Sequence, residues 1–239
     1  MKYTKSEKYN TPEIVGKIMG PNPIKLTEEL LDGNLIAPHS RVCDLGSGMG
    51  VTSLFIAREY GFHVYAADLW SVPDENQAFF SAHGLSPDQI TAVRADATDL
   101  PFEQNFFDAV VSVDSYNYFG RDAAYLDEKL LPYVKSGGYI YVAIPGLKHD
   151  FPDEKYPPEM LLSWTPEQLA YMRDIKYWRA IVSASHGARL LEISEMKSNE
   201  NVWADWLAQD NEYAVHDRLS MNAGAGKYFN FIKIVLQKK

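Results

Sequence analysis

The chain has 239 residues, 46% hydrophobic and 23% charged, which excludes collagen-like, low-complexity and disordered classes and supplies a real core. A formal net charge of −9 speaks against a protein that mainly grips phosphate backbones, and the single cysteine, Cys43, cannot close an internal disulfide. There is no apolar run near the ~18 residues of a membrane span, and the start MKYTKSEKYNTPEIVGKIMG lacks a secretory core, so the expectation is a cytoplasmic protein with no membrane partner.

In chain order, Thr11-Pro12-Glu13 opens a helix that Gly20-Pro21 stops, within a leading stretch (1–38) expected to hold one or two helices. The run Arg41–Leu45 predicts a first strand, and Val51–Tyr60 the helix after it. Strands are predicted at His63–Ala67, Ile90–Arg94, Phe107–Val113 and Tyr139–Ile144, with His83-Gly84 and Ser136-Gly137-Gly138 ending the intervening helices. An acidic, proline-rich stretch follows. Thr165-Pro166-Glu167-Gln168 then predicts a helix start with a capping box, and His186-Gly187 the end of the next helix. Strands at Arg189–Ser194 and Tyr228–Leu236 bracket an aromatic stretch holding Trp203, Trp206, Tyr213 and His216. Short β-rich runs alternating with helix-length segments predict an α/β fold with a mostly parallel sheet, and the nearly continuous apolar early strands predict helices on both faces. The whole chain, 1–239, reads as one domain. A core at 39–144 carries covers at 1–38, 145–172 and 196–227.

The first strand runs directly into Asp44-Leu45-Gly46-Ser47-Gly48-Met49-Gly50 before its helix. Glycines there let the backbone approach a ligand that also meets a helix N-terminus. A dinucleotide fingerprint needs a small residue three positions after the second glycine, and Val51 stands there. The spacing is G-x-G-x-G instead, behind an acid. Asp68, Asp96 and Asp114 end the next three strands, so with Asp44 four aspartates fall on one edge of a parallel sheet.

At these residues the sequence resembles the class I S-adenosyl-L-methionine-dependent methyltransferases, in particular the small-molecule branch related to the ubiquinone/menaquinone-biosynthesis enzymes. The resemblance covers Ser40–Pro145, with a looser match over Thr165–Ser194. Its most specific part is Ala95-Asp96-Ala97-Thr98-Asp99-Leu100-Pro101-Phe102 followed by Phe107-Asp108-Ala109-Val110. It implies a Rossmann-like seven-stranded sheet in the order 3-2-1-4-5-7-6, the last strand antiparallel. It implies S-adenosyl-L-methionine as cofactor, with Gly46, Gly48 and Gly50 under its methionine part and Asp44 orienting the amino group through water. Asp68 would bind the ribose, Leu69 pack on the adenine, Asp96 and the Ala97 N–H meet the adenine edge, and Asp114 lie near the methionine end. The segments 145–172 and 196–227 become covers on the acceptor side. Many relatives carry a histidine pair after the fourth strand. Here the stretch reads Asp114-Ser115-Tyr116-Asn117-Tyr118-Phe119, a departure that leaves the acceptor open.

Methyl transfer is an in-line displacement in which a protein positions the acceptor, excludes water and, where needed, removes a proton. Topology places His149 and His216 on the active edge as candidate general bases, and Tyr116 and Tyr118 beside the fourth strand as candidate pocket residues. The acids of the covers, among them Asp150, Asp205 and Asp210, read first as solvated surface charge and second as a preference for a neutral or cationic acceptor. No metal-ligand spacing occurs. The expected function is methyl transfer to a small molecule. An NAD-dependent oxidoreductase and a non-catalytic cofactor-binding protein are the alternatives, and oligomeric state is left open.

Overall fold

The computed structural model describes residues 2–239. Eight strands form one sheet: β1 (Arg41–Leu45), β2 (His63–Asp68), β3 (Ile90–Arg94), β4 (Phe107–Val113), β5 (Val134–Leu147), β6 (Arg173–Asp174), β7 (Ala188–Glu195) and β8 (Phe229–Lys238). The order is β3-β2-β1-β4-β5-β8-β7, with the two-residue β6 paired to β5. Once β6 is set aside, this is the expected seven-stranded order. β1–β5 run parallel, and β8 is antiparallel to both β5 and β7. Nine helices are described: α1 (Pro12–Val15), α2 (Pro23–Leu30), α3 (Val51–Tyr60), α4 (Pro73–Ala82), α5 (Tyr116–Phe119), α6 (Pro166–Leu169), α7 (Ile175–Ser183), α8 (Asn199–Leu207) and α9 (Glu212–Asn222).

Strand alternation divides the core between two faces. Val42, Val64, Val111 and Phe231 pack with Leu26, Leu54, Phe80 and Val202, from α2, α3, α4 and α8. Cys43, Val110, Ile140 and Ile232 pack with Tyr116, Leu130 and Trp178 on the opposite face. Cys43 is fully buried, and burial pushes its thiol well up, so it is an inert core residue.

Several predicted boundaries move. α1 ends at Val15, before Gly20-Pro21, because single tight turns (Lys17 N–H to Ile14 O, Ile18 N–H to Val15 O) replace helix there. Ser136-Gly137-Gly138 does not end a helix. It lies within β5 as an irregularity opposite Phe107–Ala109, with Gly137 left-handed at φ +78°. At His186-Gly187, by contrast, the glycine is not left-handed. Its turn is held by Asp127, which accepts from Ser185 Oγ and from the N–H groups of His186 and Gly187. The capping box at Thr165 and Gln168 forms as predicted.

The N-terminal segment is tied in by Asn22, which caps α2 by accepting from Ile24 N–H and Lys25 N–H and donates from Nδ2 to Asp205 of α8 at 2.7 Å. This tie brings residues 17–23 across the carboxyl ends of β1 and β4.

Candidate active site

The loop after β1 places Gly46, Gly48 and Gly50 all at positive φ (+80°, +52° and +81°), where other residues are strained. Each glycine also answers to a different neighbour. A Cβ on Gly46 would overlap Ser115 Oγ, and one on Gly50 would come within 2.6 Å of the Phe80 ring. A Cβ on Gly48 would meet nothing within 4 Å. Gly48 therefore faces open space, and its backbone is fixed from behind. Its N–H donates to Asp68 Oδ2 at 2.9 Å, and its carbonyl accepts from Asn76 Nδ2 at 2.8 Å.

That open space is a cavity of about 570 Å³ along the carboxyl edge of the sheet, a size common for small-molecule sites. Gly46, Gly48, Asp68, Leu69, Asp96, Ala97, Asp114 and Tyr118 line it. So do Lys17, Met19, Gly20 and Pro21 from the N-terminal segment, together with Trp70, Ser115 and Phe119.

The four strand-end aspartates differ in how they are held. Asp44 is 1% exposed; its Oδ2 accepts from Thr52 Oγ1 and Ser53 Oγ at 2.6 and 2.5 Å, while Oδ1 has no partner among the described residues. Burial pushes its carboxyl up to about 6 against the lowering effect of those hydroxyls. Asp68 Oδ1 accepts from the N–H groups of Trp70 and Ser71, both at 2.8 Å, so both of its oxygens are oriented by backbone. Asp96 Oδ1 accepts from Thr98 N–H and Oγ1, which hold its carboxyl below the usual range. Asp114 has a left-handed backbone (φ +55°), and its N–H donates to Ala143 O at 2.8 Å, one step beyond β4. Burial, and then the charge of Asp217 on α9, push its carboxyl up to about 7.

Not every predicted residue reaches the cavity. Asp44 and Gly50 sit behind the loop, the second because the Phe80 ring occupies the space beside it. Tyr116 is buried among Phe119, Tyr125 and Trp178, with its ring against Gly120. His149 is exposed beside Phe151, with ring centroids 5.0 Å apart. His216 Nε2 lies 2.9 Å from Ser163 O, on the outer side of α9. The structure brings neither histidine to the cavity, because β5 and the covers continue past the edge that topology defines. Sequence reasoning missed the wall built by Lys17–Pro21, the exposed Trp70 and the acid Asp217. Gly20-Pro21 was legible only as a break. Nothing local in the sequence shows that Gly20 packs so closely on Asp114 that a Cβ would stand 2.8 Å from Oδ2.

A glycine loop, oriented carboxylates and a cavity on the carboxyl edge of a 3-2-1-4-5-8-7 sheet define the methyltransferase type of Rossmann-like protein. Residues 42–138 match the family described as "Methyltransferase domain". The chain is 30% identical to 2-methyl-6-phytyl-1,4-hydroquinone methyltransferase of Synechocystis sp. over 72% of its own length and 51% of that protein's. It is 35% identical to glycine/sarcosine/dimethylglycine N-methyltransferase of Actinopolyspora halophila over 39% of this chain and 16% of the relative. It spans about half or less of the length of these relatives. Among solved structures, phosphoethanolamine N-methyltransferase 2 of Haemonchus contortus, determined with S-adenosyl-L-methionine, superposes with a TM-score of 0.71 at 17% identity, covering 98% of this chain and 58% of that one. This likeness is one of fold. No helix among the described residues is long and apolar enough to cross a membrane.

Proposed function

We propose that this protein transfers a methyl group from S-adenosyl-L-methionine to a small-molecule acceptor in the cytoplasm. The observation that carries the reading is the convergence on one cavity of an open Gly48, an Asp68 with both oxygens oriented by backbone N–H groups, and Asp96. The residues fit the cofactor: Gly48 leaves a cradle that any side chain would fill, and Asp44 keeps a buried oxygen with no partner among the described residues. Gly46 and Gly48 would pass under the methionine part, and Asp68 would accept from the ribose hydroxyls. Asp96 and Ala97 would meet the adenine edge beside Leu69, and Asp44 would act on the amino group through water from behind the loop. When bound, the cofactor supplies an electrophilic methyl carbon on a sulfonium. The chain's own contribution is to orient it, to wall it from water with Lys17–Pro21, and to present Tyr118 and Asp114 to the space beyond. The printed activities of the relatives, on a hydroquinone and on glycine derivatives, support small acceptors.

The reading is tested with methyl-tritiated S-adenosyl-L-methionine and a metabolite extract. Label entering small molecules with the native protein and absent with Asp68→Ala supports it. Cofactor binding without label transfer in any extract would instead favour a non-catalytic binder.

A further inference from the structure

Three of the four strand-end aspartates are already engaged: Asp44 by two hydroxyls, Asp68 by three backbone N–H groups, and Asp96 by Thr98. Asp114 differs. Its carboxyl lines the cavity and accepts no hydrogen bond from any described residue. A non-glycine residue at φ +55° is held there by its own N–H bond to Ala143, and Gly20 is packed against its Oδ2. Left-handed residues of this kind concentrate at functional sites.

The groups around it supply no counter-charge. Asp217 on α9, whose Oδ2 accepts from Trp206 Nε1–H at 2.9 Å, acts on it as a like charge. Tyr118 on α5 lines the same cavity and brings no charge near neutral pH. Lys17, the cation among the lining residues, has its Nζ 4.8 Å from the centre of the Phe79 ring, and His216 on α9 is turned to Ser163 O. A cavity carboxyl with no hydrogen-bond donor and a like charge nearby either keeps its proton or awaits a positive ligand. A carboxylate or phosphate acceptor would add negative charge beside Asp114, whereas an amine supplies the missing positive one.

We propose that Asp114 is a catalytic residue on the acceptor side that selects an amine nitrogen as the nucleophile and takes its proton, with Asp217 as the positioning residue that tunes it. This rests on the methyl-transfer reading above. The ammonium form of the acceptor pairs with the Asp114 carboxylate and passes it one proton, leaving a neutral amine and a neutral carboxyl. The nitrogen lone pair then forms the new N–C bond as the methyl–sulfur bond breaks. That electron pair stays on sulfur as a thioether, and the positive charge moves to the methylated nitrogen. Asp114 returns its proton to water at the mouth of the cavity.

The test uses sinefungin, the cofactor analogue that carries an amine-bearing carbon where the methyl sulfonium would be, against S-adenosylhomocysteine, which has neither. Both are titrated calorimetrically into the full chain and into Asp114→Asn and Asp217→Asn between pH 5.5 and 8.5. Asparagine tolerates the left-handed backbone, and binding of S-adenosylhomocysteine reports that a variant is folded. The proposal expects a sinefungin preference of about tenfold or more in the native chain, growing as pH rises through about 7. It expects that preference to collapse in Asp114→Asn and its pH midpoint to fall in Asp217→Asn. Equal preference in the native chain and Asp114→Asn, with S-adenosylhomocysteine bound by both, would overturn the proposal and leave the cofactor reading intact. Failure of the native chain to bind either ligand would instead remove the cofactor reading, and this inference with it. Should Asp114→Asn bind neither, Asp217→Asn decides: a lowered midpoint supports the proposal and an unmoved one overturns it.

Discussion

The two halves of the cavity are built differently. On the β1–β3 side, Asp68 and Asp96 are oriented by neighbours two or three residues away, and Gly48 is fixed by Asp68 and Asn76. On the β4 side the wall joins distant parts of the chain: Lys17–Pro21 meets Asp114 and Tyr118. The first half is complete before any ligand arrives. The second keeps an unpaired carboxyl and exposed aromatic and apolar side chains, Met19 and Tyr118 among them. A cofactor common to many enzymes can be met by a rigid local device, while the acceptor is read by residues that only tertiary structure assembles.

The comparison can be broken at several points, from strong to weak. Asp114→Asn sharpens the contrast from the β4 side. Its carboxyl is raised in the fold, from 3.8 to about 7, so the folded state holds the proton more tightly than the unfolded chain. Stability of the native apo-protein therefore drops, relative to the variant, as pH rises from about 4 to about 7, and the gap levels off above that. The variant should be more stable at pH 8 by about 4 kcal/mol, with the gap nearly closed at pH 4. A variant less stable at pH 8 would show that the carboxylate has a partner in the fold. On the other side, Gly50→Ala adds a Cβ 2.6 Å from the Phe80 ring at φ +81° and should cost about 3 kcal/mol of folding stability in urea denaturation, through overpacking and left-handed strain. An unchanged midpoint would mean that the loop is not locked from behind. Next, Asp68→Ala removes the acceptor of three loop N–H groups, and its affinity for S-adenosylhomocysteine should fall about hundredfold by calorimetry.

The mildest effect concerns Trp70, which is 83% exposed at the rim, while Trp164, Trp178, Trp203 and Trp206 are buried. Ligand binding should change tryptophan emission, and Trp70→Phe should remove most of that change while shifting affinity less than about threefold.

Legibility in the sequence follows the same division. β1, β3 and β4 have the bounds that their apolar runs predict, and α3 starts and stops where the glycines place it, because those signals are local. β5 runs from Val134 to Leu147, past Pro145-Gly146, because β8 and β6 pair with a stretch that reads as a breaker. Topology alone assigned His149 and His216 to the edge of the sheet that holds the cavity. An edge is longer than a cavity, though, and neither histidine lines it; the residue of α9 whose charge acts on Asp114 is Asp217, one position further on. The packing of Gly20 on Asp114 joins residues 94 positions apart and has no local signature.

The most direct measurement is a crystal structure grown with S-adenosylhomocysteine. The account predicts the adenosine between Asp68 and Asp96, the amino-acid tail across Gly46 and Gly48, and the sulfur turned toward Asp114. An empty groove in crystals containing the compound, or the compound bound elsewhere, would contradict it.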